Sequence, residues 1–145
     1  MRPLATMHLS LRRAAMSYDL TVEEKTGYLH IRVSGENSAV NLRRYLREIY
    51  ETSARMGISS VLIEEDLCGA GLDSLEVYRV VSEASAETSP IISQIAYVDV
   101  NPEHSGTNVD LGVAVARDRG VNVRSFLNLG DAEEWLSRPR STTQG

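Results

Sequence analysis

The chain has a single cysteine, a single lysine and no long hydrophobic run. Cys68 on its own rules out an internal disulfide framework, which indicates a reducing compartment, and we therefore predict a cytoplasmic protein. No apolar run approaches the roughly 18 residues that a transmembrane helix needs, so the sequence predicts no membrane span.

Because lysine is so scarce, arginine carries nearly all of the positive charge. Lys25 is the only lysine among the 15 basic residues, so the other 14 are arginines. We interpret this bias as the codon usage of a GC-rich bacterial genome rather than as an arginine-rich binding surface. The net charge is -5, and an acidic chain repels phosphate backbones. Nucleic acid is therefore a poor candidate partner, whereas a basic or cationic partner is electrostatically favoured.

The first fifteen residues contain three arginines and no acidic residue. Several of their apolar residues fall at helical spacing: Leu4, Met7, Leu11 and Ala14. A strand-like pattern begins directly after Met16, which makes Met16 a candidate start. We predict that residues 1–16 are a disordered or mis-annotated extension, with a docked helix or a targeting peptide as the alternatives. One domain at 17–138 and a disordered polar tail at 139–145 complete the chain.

Hydrophobic periodicity predicts the first elements of that domain. Apolar and polar residues alternate in Tyr18–Glu24 and in Tyr28–Ser34, which is typical of strands. A turn at Gly27 joins them, so we expect a hairpin at the edge of a sheet. Ser60–Glu65 is a nearly continuous apolar run and predicts a central parallel strand.

Helices and strands alternate in the rest of the domain. We predict helices at Ala39–Met56, from Asp73 to about Ala86, at Thr107–Arg119 and from a cap at Asp131, and strands at Gln94–Val100 and Val121–Phe126. The order is β-β-α-β-α-β-α-β-α. Right-handed crossovers between such strands predict an α/β fold, with a mixed, mostly parallel sheet and helices packed against it.

This order resembles the STAS fold of anti-sigma-factor antagonists, and local motifs resemble it too. Ser34-Gly35-Glu36 is similar to the motif that closes the second strand in that family. Val61–Leu67 then leads into Cys68–Ser74, which looks like the antagonist segment whose serine, at the start of the second helix, is phosphorylated. The resemblance implies that this serine is Ser74. It also implies a regulatory protein that acts by binding other proteins.

The C-terminal part of the chain is similar to a subgroup, the SpoIIAA-like proteins. The similar segments are Val98–Pro102 with His104, Val121–Phe126 and Asp131–Leu136. The resemblance covers about residues 17–138. It departs from the antagonist pattern after Ser74, where Leu75 and Glu76 replace a serine and a glycine, and Glu76 adds negative charge beside the candidate phospho-acceptor.

The loop before the second helix is the first candidate site. A phosphate on Ser74 would lie at the positive end of a helix and would place about two negative charges in an interface. The alternative is that Ser74 is an ordinary first-turn residue behind an Asp73 cap, since Asp73 and Glu76 have the spacing of a capping box. We expect a partner or ligand to contact the following residues: Asp66, Cys68, Gly69, Gly71, Asp73, Ser74 and Leu75.

A second cluster contains Glu64, Glu65, Asp99 and His104, together with Asp66. Its carboxylates fall where two predicted parallel strands end, and ligands of open α/β sheets bind at that edge. Such a cluster suits Mg²⁺ or acid–base chemistry, whereas the plainer interpretation is a solvated acidic rim. Cys68 with His104 is a further nucleophile–base candidate.

Three functions follow from these residues. The first is a non-enzymatic regulatory or protein-interaction module, with no cofactor and no bound metal. The strand face of Tyr28, His30 and Arg32 is a candidate surface for a homodimer or another partner, and the plainer interpretation is a half-exposed strand. The second is a carrier of a small apolar ligand or lipid, as the SpoIIAA-like resemblance implies. The candidate lining residues of its pocket are Val80, Val81, Ile91, Ile92 and Leu111. The third is a metal-dependent enzyme that uses the acidic cluster.

Overall fold

A computed structural model of the chain describes residues 6–9, 18–69, 72–88, 90–101 and 107–138. The strands are β1 (Thr6–Leu9), β2 (Tyr18–Lys25), β3 (Tyr28–Glu36), β4 (Ser60–Cys68), β5 (Gln94–Asp99) and β6 (Val123–Phe126). The helices are α1 (Ala39–Met56), α2 (Ser74–Thr88), α3 (Thr107–Asp118) and α4 (Leu129–Ser137). The predicted β-β-α-β-α-β-α-β-α order is confirmed from β2 to α4.

The six strands form one sheet in the order of the sequence, from β1 to β6. The first three strands pair antiparallel, and the remaining neighbours pair parallel. Each parallel step crosses over through one helix, and crossovers of one hand that progress in one direction place their helices on the same face. The predicted mixed, mostly parallel sheet is therefore present.

The sheet is covered on both faces. Helices α1, α2 and α3 pack on one face, over the odd-numbered apolar residues of β3 and β4 and the even-numbered ones of β2. Helix α4 packs on the other face, where Ala132 and Leu136 contact a smaller core that includes Leu62 and Val98. Strand alternation thus divides the apolar residues between two cores. No helix in the described part of the chain has the length and apolar character to cross a membrane.

Three predictions about the edges of the domain were wrong. Part of the segment for which we expected disorder or a helix, Thr6–Leu9, forms β1 and pairs with β2. The β2–β3 hairpin therefore does not lie at the edge of the sheet. The predicted cap of α4 at Asp131 is also replaced, because Asn128 Oδ1 accepts a hydrogen bond from the Asp131 backbone at 2.8 Å and the helix begins at Leu129. The rest of 1–16 and the tail at 139–145 lie outside the described residues.

Candidate functional site

A cavity of about 410 Å³ lies between the sheet and helices α1, α2 and α3. Its walls are mostly aliphatic: Leu42 and Leu46 of α1, Val81 of α2 and Val113 of α3 face Ile63 and Val123 of the sheet. Pockets that bind small molecules have volumes of about 300–1,000 Å³ and a mostly apolar lining with a few polar groups. The cavity has the size and composition of such a pocket.

Small residues on α2 and α3 leave this volume unfilled. Ala84, Ser85, Gly112 and Ala116 all line the cavity, where larger side chains would occupy it. At Gly112 an added Cβ would lie 3.6 Å from Val77 Cγ1, which shows how closely the two helices approach each other. The two helices thus pack on each other while their small side chains leave space above the sheet.

The polar end of the cavity is built around Glu65. This residue lies on the cavity face of β4 near the carboxyl end of the strand, and only 6% of it is exposed. The hydroxyl of Tyr45, from α1, donates to Glu65 Oε2, and the hydroxyl of Tyr97, from β5, donates to Glu65 Oε1. Burial of a carboxylate is costly unless donors satisfy it, and these two phenols supply donors from separate elements.

Tyr97 is held in its protonated form. Burial raises the pKa of its hydroxyl well above the ordinary value of 10.0, and the charge of Glu65, the hydrogen bond to Glu65 and the charge of Asp99 raise it further. A neutral phenol is a hydrogen-bond donor, so Tyr97 remains a donor to Glu65 throughout the physiological pH range.

Hydrogen bonds hold the carboxyl ends of β4 and β5 together. Asn101 Nδ2 donates to the Leu67 carbonyl at 2.6 Å, and the Asn101 backbone donates to Asp99 Oδ1 at 3.0 Å. Val100 N donates to the Glu65 carbonyl at 2.9 Å. Asp99 and Asn101 also line the cavity. The polar end therefore lies at the carboxyl ends of β4 and β5, where ligands of open α/β sheets bind.

The structure does not bring the four predicted carboxylates together. Glu65 and Asp99 face the cavity, whereas Glu64 points to the opposite face, where His30 Nε2 lies 2.8 Å from its Oε1 and Arg32 Nε lies 3.3 Å away. Asp66 is exposed on that opposite side. Among the described residues, no three His, Cys, Asp or Glu side chains are grouped to hold a metal ion. The fifth predicted member, His104, lies outside the described residues.

The loop before α2 presents an exposed surface. Ser74 is the first residue of α2 and is exposed, and Leu75 beside it is 62% exposed. Glu76 N donates to Asp73 Oδ1 at 2.8 Å and Asp73 N donates to Glu76 Oε1 at 3.1 Å, so the predicted capping box is present. Tyr78, one turn further along α2, is 46% exposed.

The other residues of the predicted loop differ in their exposure and in their contact with the cavity. Cys68 and Gly69 are exposed, and Cys68 Sγ donates to the Gly35 carbonyl at 3.3 Å. Gly69 has a φ of 105°, a backbone conformation that favours glycine, and it lines the cavity. Gly71 lies outside the described residues.

The predicted dimer face is mostly covered. Tyr28 is buried in the core beneath α4, and His30 is largely enclosed beside Glu64. Only Arg32 of the three is exposed.

The sequence identified few of the residues that form the cavity. Of the five predicted lining residues only Val81 lines it, and Val80 instead lines a smaller cleft between α1 and α2. Ile91, Ile92 and Leu111 are not among the lining residues. Tyr45 and Tyr97 were missed, although period-two alternation in β5 and helical spacing in α1 would have placed both on the inner face.

Neither a comparison with models of known protein families nor a search of curated proteins finds a match for this chain.

Proposed function

We propose that the chain is a non-enzymatic binding module that takes up a small, largely apolar molecule in the cavity beneath α1, α2 and α3. The observation that carries this proposal is the cavity itself, with about 410 Å³ of space, mostly aliphatic walls and both of its charged side chains, Glu65 and Asp99, at one end. Protein interiors are normally packed as densely as organic crystals, and unfilled space forfeits dispersion contacts. A ligand that occupies the cavity restores those contacts and stabilises the fold.

The polar end supports binding rather than turnover. Glu65 is engaged by two tyrosines, and Glu64 is directed to the other face of the sheet. Such an arrangement orients one end of a bound molecule, while the aliphatic walls contact the remainder.

Filling the cavity tests the proposal. Ala84 lines the cavity, whereas Ala86, two residues later on α2, is exposed. We expect Ala84→Phe to abolish the fluorescence increase of Nile red, a neutral apolar dye, because the ring would occupy the binding volume. The matched variant Ala86→Phe should bind the dye as the wild type does. If Ala84→Phe folds and binds Nile red unchanged, the cavity is not the binding site.

Native mass spectrometry of protein purified from cells, before and after denaturing extraction, provides a second test. We expect additional mass that is removed by extraction and is absent from Ala84→Phe. A bound mass that persists in Ala84→Phe would place the ligand elsewhere.

A protein-interaction surface at the start of α2 is the second candidate function. Its support is the exposure of Leu75 and Tyr78 beside the exposed Ser74, because adjoining exposed apolar side chains mark contact surfaces. The resemblance to anti-sigma-factor antagonists implies a contact at the same place, and the acidic charge of the chain favours a basic partner.

Substitution on this surface tests the second function. We expect Leu75→Arg to remove a partner that wild-type protein captures, because it places a charge in the apolar contact. Leu127→Arg is the control, since Leu127 is 98% exposed and lies outside α2. A partner lost equally from both variants, or from neither, would refute this surface.

A further inference from the structure

The charged residues that line the cavity have one sign. They are Glu65 and Asp99, and the described lining contains no lysine, arginine or histidine. A carboxylate or phosphate head group in this cavity would be repelled by both side chains, and the weaker screening of a protein interior strengthens that repulsion. The lining thus disfavours fatty acids and anionic lipids.

The two carboxylates are neighbours at one end of the cavity. Glu65 of β4 and Asp99 of β5 are paired in register, and adjacent strands lie about 4.8 Å apart. The phenol of Tyr97 also lines this end, beside both carboxylates. A ligand head group at this position would meet both carboxylates and a phenol oxygen at the same time.

The rest of the cavity is mostly apolar, its polar residues Ser85 and Thr88 are uncharged, and it suits a hydrocarbon tail. Val113, Ala116, Val121 and Val123 continue the lining along α3 and toward the start of β6, away from the carboxyl ends of β4 and β5. A molecule that matches both regions has one polar terminus and one apolar body. Because the polar region is acidic, the matching terminus is a cation.

We propose that the cavity binds an amphiphilic amine, with its ammonium group against Glu65 and Asp99 and its apolar chain along α3 and the sheet. This inference rests on the proposed ligand-binding function and specifies the class of ligand. An ammonium donates up to three charge-assisted hydrogen bonds, which carboxylate oxygens accept. The net charge of -5 also attracts cations to the protein surface.

Three probes with the same chain and different head groups test this inference: decylamine, decanol and decanoic acid, each used to displace Nile red from the full chain near neutral pH. We expect decylamine to bind roughly tenfold or more tightly than decanol, because its ammonium brings a positive charge to the two carboxylates whereas the hydroxyl of decanol is neutral. Decanoic acid should bind more weakly than decanol.

Substitutions at the acidic end make the test specific. Asp99→Asn keeps an oxygen that can accept from the Asn101 backbone, and we expect it to reduce the preference for decylamine over decanol severalfold without changing the affinity for decanol. Glu65→Gln should also reduce the preference for decylamine over decanol. If Glu65→Gln fails to fold, Asp99→Asn alone tests the amine preference. Asp66→Asn is the control, because Asp66 is exposed on the other side of β4.

The outcomes separate this inference from the proposed function. If Nile red binds in the cavity but decanol or decanoic acid equals decylamine in affinity, the amine preference is refuted and the binding function stands. An amine preference that persists in Asp99→Asn and Glu65→Gln would equally refute it. If Nile red does not bind to the wild-type chain, both proposals fail.

Discussion

Tyr97 and Tyr45 enclose Glu65 from two different elements, and each contributes a single hydroxyl to a buried carboxylate. Their rings also fill part of the space between α1 and the sheet. The contribution of the hydroxyl can be separated from that of the ring, because phenylalanine retains the ring and removes only the donor.

Tyr97→Phe should destabilise the protein by about 1–3 kcal/mol near neutral pH, since Glu65 loses one of its donors in a buried site. Urea unfolding measures this free energy. Tyr78→Phe is the matched control, because Tyr78 is 46% exposed and its substitution should change stability by less than about 0.5 kcal/mol. Equal effects of the two substitutions would show that the Glu65 contact contributes no stability.

The stability difference between wild type and Tyr97→Phe should become smaller at high pH. The folded-state pKa of Tyr97 is raised above the ordinary value of 10.0, so its stabilising contribution is fully present below that pH. As the pH rises above 10.0, the unfolded chain loses the proton and the folded chain keeps it, so the wild type loses stability. Unfolding followed between neutral pH and pH 11 should show the difference narrowing, and a constant difference would contradict the raised pKa.

Sequence patterns predicted single residues unevenly. The Asp73–Glu76 capping box was predicted correctly, because its partners are three positions apart and interact locally. The grouping of Glu64 with Glu65 overlooked strand alternation, which sends adjacent side chains to opposite faces. Tyr45 and Tyr97 meet Glu65 only through tertiary packing, and no local spacing joins them.

At the scale of elements, alternation and helical spacing predicted β2 to β6 and all four helices, with errors confined to their ends. Strand β1 was not predicted, because its segment carries no period-two pattern strong enough to outweigh the helical spacing around it. Strand formation there depends on pairing with β2, which is a non-local interaction. The cap of α4 was misplaced by three residues, from Asn128 to Asp131, since both residue types are favourable caps.

The cap of α4 provides a direct test at this scale. Asn128→Ala should destabilise the protein by about 1 kcal/mol, because the side chain satisfies a backbone N–H group at the start of the helix. Asp131→Ala should cost less, since the Asp131 side chain accepts only a longer bond, of 3.3 Å, from Asn128. Denaturant unfolding of both variants checks the ranking, and a larger loss in Asp131→Ala would favour the cap predicted from sequence.

For the whole molecule, the cavity follows from the uneven distribution of helices. Three helices share the face above the cavity, whereas α4 alone packs over β4, β5 and β6 on the other. The strands and helices predicted from the sequence determine the distribution of helices over the two faces only approximately. The cavity depends on the small residues that line it, such as Ala84 of α2 and Gly112 of α3, so it could not be predicted from periodicity.

The placement of Glu64 and Glu65 on opposite faces also has a consequence for how the chain folds. If β4 paired with its neighbours one residue out of register, every side chain of the strand would change faces. A shift by one residue that moved Glu64 to the place of Ile63 would take it away from His30 and bury it among the aliphatic residues of the cavity. That carboxylate would be buried away from its donors, so Glu64 makes the central strand intolerant of an alignment slipped in this direction.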